Sequence, residues 1–286
     1  MSEGRSVFIT GSSSGFGFDT AIALAQRGQT VFATMRGPEG KNAQAASDLR
    51  SKAQENGWNL HVLEVDVTDE ASVNAAVEAA VSEAGHLDVV INNAGVGAFG
   101  VQESFAVEQV QHVFDVNVFG VMRVNRAALP HMRSRGSGHV IYVSSGLGRF
   151  VIPFVGPYAG TKFALEAMAE AASYELRGEG IDTAIVQPGA FGTPFGSNMI
   201  QPKEAERLES YGPTRDMYAA MAKGRQEREY QDPQEVVDVL VELAESSPGD
   251  RSLRVPVGAD SKMASSPINE AQAQIQTAIE SRFGLA

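Results

Sequence analysis

Two side chains in the middle of the chain have the types and the spacing for acid–base chemistry. Tyr158 and Lys162 are four residues apart in an amphipathic stretch, residues 158–177, so on a helix they share one face. A free tyrosine has a pKa of about 10, and a nearby ammonium group is expected to lower that pKa by stabilising the phenolate. Tyr158 could then donate a proton to a substrate oxygen or accept one. Taken alone, Tyr158 is equally consistent with an ordinary amphipathic core residue.

A glycine-rich turn near the N-terminus indicates a phosphate-binding loop. A β-rich run at residues 7–10 leads directly into the segment GSSSGFG at 11–17, and a helical pattern follows. Gly11 permits a tight turn, Gly15 allows the backbone to approach a pyrophosphate, and Gly17 allows the helix to pack on the sheet. The N–H groups at the start of the helix would face the phosphates. The alternative is a strand-to-helix turn without a ligand. The predicted contacts are Gly11, Ser13, Ser14, Gly15, Phe16 and Gly17.

The end of the second strand-like run indicates which dinucleotide would bind. A ribose-recognising residue is expected about 20 residues after the glycine loop, where this chain reads ATMR at 33–36. No acid is present there to accept hydrogen bonds from a free adenosine 2′-hydroxyl. Arg36 instead offers a fork of donors that suits a 2′-phosphate, to which Ser14 could add a hydroxyl. These residues favour NADP(H), although an exposed arginine at a strand end is the simpler alternative.

The alternation of apolar and amphipathic segments predicts the sheet that would position these groups. Runs rich in Val and Ile, typical of strands buried on both faces, lie at 7–10, 31–34, 62–65, 89–92, 140–144 and 183–187, with a last short one at 254–258. Helical patterns lie at 20–27, 71–84, 107–133, 158–177, 232–245 and 267–282. This order predicts an α/β fold with a single Rossmann-type doubly wound parallel sheet. No linker or repeat divides residues 1–286, so one dinucleotide-binding domain is expected.

The C-terminal third departs from the regular pattern. Residues 195–231 are rich in Met, Tyr, Gln and charge and are interrupted by Gly and Pro, which predicts a helical substrate lid. Residues 260–286 form a C-terminal extension. Asp232 is expected to cap the following helix, with Pro233 at its first position. Thr68 or Asp69 should cap the helix after the third strand, and Pro130 should kink the long helix or end its first part.

With the glycine loop, the ordered landmarks from Thr10 to Thr193 resemble the short-chain dehydrogenase/reductase family. These landmarks are Asp66 and Val67, the run of Asn93, Ala94 and Gly95, then Asn117, then Ser145 thirteen residues before Tyr158, Lys162, and finally Pro188, Gly189 and Thr193. The resemblance covers about two thirds of the chain. Phe16 replaces a usual aliphatic residue, and Gly160-Thr161 replaces a frequent Ala-Ser, but neither change removes a reacting group.

The resemblance implies a role for each matched residue. Asn117, Ser145, Tyr158 and Lys162 would form a catalytic tetrad with Tyr158 as acid and base. Ser145 would stabilise charge on the substrate oxygen, Lys162 would hold the nicotinamide ribose, and Asn117 would anchor a proton-relaying water. A positive nicotinamide would lower the pKa of Tyr158 further. Further cofactor contacts would be Asp66, Val67, Asn93, Ala94, Gly95, Tyr158, Lys162, Pro188, Gly189 and Thr193.

The expected substrate is a bulky apolar ketone or aldehyde. The segments ATMR at 33–36 and FALE at 163–166, with the long C-terminal region, are similar to the hydroxysteroid and retinol dehydrogenase-like carbonyl reductases. Phe99, Leu147, Phe150, Phe154, Phe191 and Phe195 would lie at the mouth of the site. Met199, Tyr211, Met217, Tyr218 and Met221 would line the lid or pack as ordinary helix residues. The predicted reaction interconverts a carbonyl and a secondary alcohol, and a reduced cytosolic NADP(H) pool would favour reduction.

Composition narrows the partners of this 286-residue chain. The chain has 23 basic and 35 acidic residues, a formal net charge of −12, which disfavours nucleic acid and anionic membranes as partners. It has no cysteine, its five histidines lack metal-ligand spacing, and no metal is expected. Without a secretory leader or a long apolar run, a cytoplasmic protein is expected. The helical stretches 107–133 and 158–177 could form a homodimer or homotetramer.

Two other functions remain open from the sequence. The chain could be a redox-sensing regulatory protein that binds NADP(H) without turnover, for which a Tyr158→Phe change would be harmless. It could also be an epimerase or dehydratase of the same fold that recycles a tightly bound cofactor.

Overall fold

The computed structural model describes residues 4–204, 206–249 and 252–284, and within them seven parallel strands form one sheet. The strands are β1 (Ser6–Ile9), β2 (Thr30–Met35), β3 (Leu60–Glu64), β4 (Val89–Asn92), β5 (Gly138–Val143), β6 (Ile181–Pro188) and β7 (Arg254–Val257). Their order across the sheet is β3-β2-β1-β4-β5-β6-β7, and every neighbouring pair is parallel. Each predicted strand overlaps an observed one, and the predicted doubly wound α/β sheet is confirmed.

Helices cover both faces of this sheet. They are α1 (Gly15–Gln26), α2 (Ala43–Asn56), α3 (Glu70–Ala84), α4 (Val107–Phe114), α5 (Gly120–Arg135), α6 (Gly156–Arg177), α7 (Glu206–Glu209), α8 (Gly212–Glu227), α9 (Gln234–Glu245) and α10 (Ala259–Phe283). One apolar core joins α1, α2 and α9 to the sheet, and the other joins α3, α5 and α6 to its opposite face. The inner strands are buried on both faces, which explains their apolar composition, while the edge strands β3 and β7 are only partly buried.

Three predicted helices had the wrong bounds, and one helix was missed. The predicted stretch 20–27 belongs to α1, which begins five residues earlier at Gly15. The stretch 107–133 is divided by a π-helical turn, Asp115–Phe119, while Pro130 lies inside α5, which continues to Arg135. The C-terminal helix begins at Ala259 and carries Pro267 in its interior, so it is eight residues longer at its N-terminal end than predicted. Helix α2 was not predicted, because only Ala46, Leu49 and Ala53 form its buried stripe.

The two helix caps that the sequence predicted lie within a residue of the observed helix starts. Asp69 caps α3, because its Oδ1 accepts hydrogen bonds from the N–H groups of Ala71 at 2.9 Å and Ser72 at 3.4 Å. Asp232 Oδ1 accepts from the N–H of Gln234 at 2.9 Å, where α9 begins.

The single domain 1–286 remains a prediction. Residues 1–3, 205, 250–251 and 285–286, which include one position of the predicted lid and the last two of the C-terminal extension, lie outside the described residues. Within the described part of the chain, no helix combines the length and apolar composition needed to cross a bilayer.

The strand order places a crevice between β1 and β4. The chain leaves β1 toward β2 on one side and enters β4 on the other, so the loops after these two strands separate at the carboxyl edge of the sheet. In open parallel sheets, ligands bind where the strand order reverses in this way, which is called the topological switch point.

Candidate functional site

The glycine loop follows β1 at the switch point and is held tightly against the loop after β4. Gly11 has a φ of +72°, and a Cβ there would lie 2.8 Å from the Ala94 Cα. A Cβ at Gly17 would lie 2.4 Å from the Asn93 Nδ2, so both positions require glycine. Helix α1 begins at Gly15 with its first N–H groups at the crevice. This is a cradle that a phosphate ligand can approach through backbone N–H groups.

Thr10 and Asn93 lock the two loops together. Thr10 Oγ1 accepts hydrogen bonds from the N–H groups of Asn93 and Ala94, both at 3.0 Å. The Asn93 side-chain amide donates to the Thr10 carbonyl at 2.9 Å and to the Gly11 carbonyl at 3.1 Å. The predicted residue Asn93 is therefore placed beside the glycine loop, where its side chain fixes the shape of the loop.

Two basic side chains lie in the connection after β2, and the sequence analysis identified only one of them. Arg36 is exposed directly after β2, and Lys41 follows five residues later in the same connection. Lys41 lines an open cleft of about 370 Å³ together with Ser13 and Ser14 of the glycine loop. The signal for Lys41 was a second basic residue in the loop after β2, close enough to Arg36 to serve the same ligand.

Asp66 lies within reach of both cations at the end of β3. Burial alone would raise the pKa of Asp66, but hydrogen bonds from the backbone and hydroxyl of Thr68, with the charges of Arg36 and Lys41, bring that pKa below its usual value. Asp66 Oδ1 accepts from the Thr68 N–H at 2.9 Å. The adjoining Val67 is buried against Gly120, the first residue of α5. Asp66, Val67, Arg36 and Lys41 thus border the same side of the crevice as Ser13 and Ser14.

Asn117 lies in the π-helical turn and is fully engaged with its surroundings. Its amide accepts from the Val96 N–H and donates to the Val96 carbonyl, both at 2.8 Å, and also donates to Thr161 Oγ1 at 3.0 Å. Thr161 Oγ1 in turn donates to the Tyr158 carbonyl at 2.7 Å. Both N–H groups of the Asn117 amide are therefore used, and its side chain joins the loop after β4 to α6.

Ser145, Tyr158 and Lys162 converge where β5 ends and α6 begins. The Lys162 Nζ is 5.7 Å from the centre of the Tyr158 ring and donates a hydrogen bond to the Val143 carbonyl at 2.9 Å. Ser145 Oγ accepts from the Leu147 N–H at 3.1 Å. Tyr158 and Lys162 are only 6% and 4% exposed. The predicted one-turn spacing of the pair is thus realised on the buried face of α6.

The pKa values of the pair differ from the expectation. Burial raises the pKa of Tyr158 to about 12, with a hydrogen bond to the Ser145 side chain acting in the opposite direction. Burial also lowers the pKa of Lys162 to about 8, although the negative charge of Glu166 acts to raise it. The predicted lowering of the Tyr158 pKa by the ammonium group is therefore wrong for this structure, because removal of the phenol from water outweighs a cation that lies beside the ring.

The loop after β6 closes the crevice on its other side. The Pro188 carbonyl accepts a hydrogen bond from Ser145 Oγ at 3.5 Å, and the Gly189 N–H donates to the Val257 carbonyl at 2.9 Å. Thr193 reaches the glycine loop, where its Cβ would be 3.4 Å from a Cβ placed on Gly15. The segment with Pro188, Gly189 and Thr193 therefore runs from Ser145 to the glycine loop.

The lid (residues 195–231) lies directly over Tyr158. The Phe195 ring is 5.6 Å from the Tyr158 ring, and Tyr218 stacks on Phe99 with ring centres 5.3 Å apart. Met199 packs on the loop after β4, where a Cβ on Gly97 would be 2.6 Å from its Cγ. The closed lid explains the low exposure of Tyr158.

Only some of the residues predicted for the mouth lie there. Phe99, Leu147, Phe154, Phe195, Met199, Tyr218 and Met221 belong to the apolar clusters around Tyr158 and Ala159. Phe191 instead packs edge-on against Phe16 on the far side of the glycine loop, and Phe150 lies beside Gly146. Met217 is 45% exposed, and the Tyr211 hydroxyl bonds Glu103 at the surface. The predicted mouth position was wrong for Phe191, because sequence order does not show on which side of a loop a side chain lies.

A buried polar cluster behind α6 was missed by the sequence analysis. Glu166 lies one turn after Lys162 and accepts hydrogen bonds from Arg254 Nε at 2.9 Å and Gln187 Nε2 at 2.8 Å. Arg254 Nη2 also bonds Glu170 at 2.5 Å, which contacts Gln272 of α10. The cluster joins α6, β6, β7 and α10 directly behind the acid–base pair.

Comparison with known families places most of the chain in one group. Residues 5–204 match the family model described as short chain dehydrogenase. A solved short-chain dehydrogenase from Streptomyces avermitilis has 29% identity and a TM-score of 0.76, with 99% of each chain covered.

Three curated relatives refine this likeness. A 3-ketodihydrosphingosine reductase from Bacteroides thetaiotaomicron is 40% identical over 67% of this chain, and the match spans 66% of that protein. Retinol dehydrogenase 8 from Bos taurus is 34% identical over 85% of this chain and 78% of its own length. The 17-beta-hydroxysteroid dehydrogenase type 1 from Mus musculus is 36% identical over 82% of this chain and 69% of its own length. The predicted resemblance to hydroxysteroid and retinol dehydrogenases is confirmed.

Proposed function

The chain belongs to the short-chain dehydrogenase family, and from this premise we propose that it is an NADP(H)-dependent oxidoreductase. It interconverts a bulky apolar ketone or aldehyde and its alcohol, with Tyr158 as acid and base. The observation that carries the proposal is the convergence of Ser145, Tyr158 and Lys162 beneath an apolar lid and beside the glycine loop.

The residues present fit a nicotinamide dinucleotide. Glycine at positions 11 and 17 allows the loop to pack tightly against the loop after β4. The N–H groups at the start of α1 would then bind a pyrophosphate. Lys162 uses one N–H on the Val143 carbonyl, and an ammonium group has three, so it can also bind a ribose hydroxyl. Pro188, Gly189 and Thr193 are the proposed contacts of the nicotinamide end, and Asp66 and Val67 those of the adenine.

The preference for NADP(H) rests on two cations. Arg36 offers a planar fork of donors to a 2′-phosphate, and Lys41 adds a second positive charge from the same connection. Both cations contribute to lowering the pKa of Asp66, so both lie near the carboxylate that follows β3. No acidic residue occupies positions 33–36, where an enzyme that prefers NAD(H) would have one.

The chain's own residues supply the proton chemistry. A bound nicotinamide cofactor supplies the hydride chemistry. The Tyr158 hydroxyl donates its proton to the substrate oxygen during reduction, and the Ser145 hydroxyl stabilises the negative charge that develops there. Lys162 stabilises the phenolate that remains. Asn117 fixes the loop after β4 to α6, and since its amide N–H groups are both used, a relay water would bind to its remaining oxygen lone pair or to nearby backbone.

Burial of Tyr158 favours the protonated phenol, the form that donates a proton to a carbonyl oxygen. A phenol with a pKa of about 12 keeps its proton at neutral pH, which is the form that reduction requires. Oxidation would need the phenolate, which the buried site disfavours until an ammonium group or another positive charge compensates.

The helices that flank the site also support a homo-oligomer. Phe119, Met122, Phe163 and Met168 are each more than a third exposed, and they lie on the π-helical turn, α5 and α6. We therefore propose a symmetric dimer or tetramer that forms through these elements. Light scattering of the purified protein would measure its oligomeric state.

The proposal is tested by mixing the protein with NADPH or NADH and a panel of ketones and aldehydes, from small aryl ketones to steroids, and following nicotinamide absorbance. We expect turnover with NADPH, which a Tyr158→Phe change lowers by about a hundredfold to ten-thousandfold. Tyr174→Phe, the same change later on α6, is the matched control and should keep full activity. Tight NADPH binding without turnover of any carbonyl or matching alcohol would contradict the proposal and favour a regulatory role.

A further inference from the structure

The lid contains four arginines, and one of them differs from the others. Arg207 pairs with Glu103 and Glu204, Arg215 with Glu209 and Asp216, and Arg228 with Asp260. Arg225 of α8 has no carboxylate partner among the described residues, in a chain with twelve more acidic than basic groups. An unpaired guanidinium in so acidic a protein requires an explanation.

Arg225 is held over the apolar site by neutral groups. Its guanidinium carbon is 4.2 Å from the centre of the Phe99 ring, and Phe99 is only 4% exposed. Its Nη2 contacts the Met199 sulfur at 2.8 Å and the Gly196 carbonyl at 3.5 Å. A thioether and a distant carbonyl are weak acceptors for a charged fork that can bind a planar anion at two points. The guanidinium is thus oriented and partly desolvated, but it is not neutralised.

The residues that Arg225 contacts are adjacent in the chain to residues that pack around Tyr158. Gly196 follows Phe195, whose ring packs on Tyr158, and Phe99 follows Ala98, which belongs to the same apolar cluster as Tyr158. An apolar molecule that replaced Phe195 and Met199 beneath the lid would therefore have Tyr158 at one end and Arg225 at the other.

We propose that the substrate is an apolar carbonyl compound with an anionic group, a carboxylate or a phosphate, which Arg225 binds at the end of the site away from Tyr158. This inference rests on the proposed function, because it names the substrate class of the same site. The anion replaces the sulfur and carbonyl contacts of the guanidinium and neutralises its charge. The stacking on Phe99 keeps the fork in place for two-point binding.

The kinetic test compares methyl-keto acids of increasing chain length with their methyl esters, which keep the carbonyl and lose the charge. In the wild type, we expect the best acid to exceed its ester in kcat/KM by about tenfold to a hundredfold, the range expected for a charge-assisted hydrogen bond. Arg225→Gln should lower kcat/KM for the acid about tenfold to a hundredfold more than kcat/KM for the ester, while Arg225→Lys should retain part of the difference. Arg215→Gln is the matched control on α8 and should behave as the wild type.

A binding test separates this inference from the proposed reaction. Calorimetry of the protein saturated with NADP⁺ would compare dodecanoate and dodecyl phosphate with dodecanol, which distinguishes a carboxylate from a phosphate. Tighter binding of either anion, lost in Arg225→Gln but kept in Arg215→Gln, would support the anion site even if no carbonyl were reduced. The inference would be overturned if the ratio of kcat/KM for acid and ester were equal in the wild type and Arg225→Gln. It would also be overturned if Arg225→Gln changed only the KM for NADPH. Both results would leave the oxidoreductase proposal intact.

Discussion

Arg254 Nε donates a hydrogen bond to the Glu166 carboxylate at 2.9 Å, and the two side chains are only 6% and 2% exposed. The same guanidinium reaches Glu170 one turn later, so a single residue of β7 joins two carboxylates of α6. Since Lys162 is one turn before Glu166, the pair connects the acid–base helix to the far edge of the sheet.

Removing one member of this pair should destabilise the fold. Glu166→Gln keeps the hydrogen-bonding shape but takes a charge from a buried guanidinium, and breaking such pairs costs about 3 kcal/mol or more. Because Glu170 still binds Arg254, we expect a value at the low end of that range. The measurement is the free energy of unfolding in urea. Glu227→Gln, which breaks the exposed pair with Lys223, should cause little or no change. Similar losses for the two variants would contradict the argument.

The pH dependence of reduction should follow the protonation of Lys162. Burial lowers the pKa of Lys162 to about 8, so the ammonium group is present below that pH and is lost as the pH rises through it. We therefore expect kcat/KM for reduction to fall above a pH of about 8. Glu166 acts to raise this pKa, so Glu166→Gln should shift the fall to lower pH. Glu227→Gln is the control, and a shift to higher pH in Glu166→Gln would contradict the assignment.

Cofactor preference should depend on Arg36 and Lys41 together. Replacing either with Ala removes a charge-assisted contact to the 2′-phosphate, which we expect to lower kcat/KM for NADPH by about tenfold to a hundredfold. Activity with NADH should change little, because NADH lacks that phosphate. Lys52→Ala, on the exposed side of α2, is the control. Equal losses with both cofactors would show that the residues act on the fold or on a shared part of the dinucleotide.

The glycine loop should tolerate no side chain at Gly17. A methyl group there would lie 2.4 Å from Asn93 Nδ2 and 2.6 Å from the Gly11 carbonyl oxygen. We expect Gly17→Ala to cost about 1–3 kcal/mol of stability and to abolish detectable NADPH binding, measured by urea unfolding and by calorimetry. Gly178→Ala has no atom within 4 Å of the new methyl group and should leave both properties intact. Unchanged NADPH affinity in Gly17→Ala would argue against this loop as the phosphate site.

Local patterns in the sequence were sufficient to predict the sheet and the residues that follow its strands at the crevice. Every strand overlaps a short apolar run of the sequence, and Asp69 and Asp232 mark their helix starts through contacts within three residues. The family landmarks extended this prediction to residues at the crevice, because their order along the chain follows the order of strand ends.

Long-range contacts account for what the sequence did not indicate. Arg254 is 88 positions from Glu166, and nothing in the local pattern of either residue predicts their pairing. The π-helical turn at Asp115–Phe119 contains neither Pro nor Gly, so the break between α4 and α5 has no sequence signal. The rise in the Tyr158 pKa depends on burial by Phe195 and the rest of the lid, which is known only after the chain is folded.

The pairing of Glu166 with Arg254 also sets an order of events during protein synthesis. A ribosome that has completed α6 has made both carboxylates, but their guanidinium lies on β7, and the amides that bond Glu170 lie on α10. Until those segments emerge, α6 cannot bury Glu166 at low cost, and the pocket around Lys162 stays open to water. We therefore expect a chain that ends before β7 to lack the buried surroundings of Glu166 and Lys162.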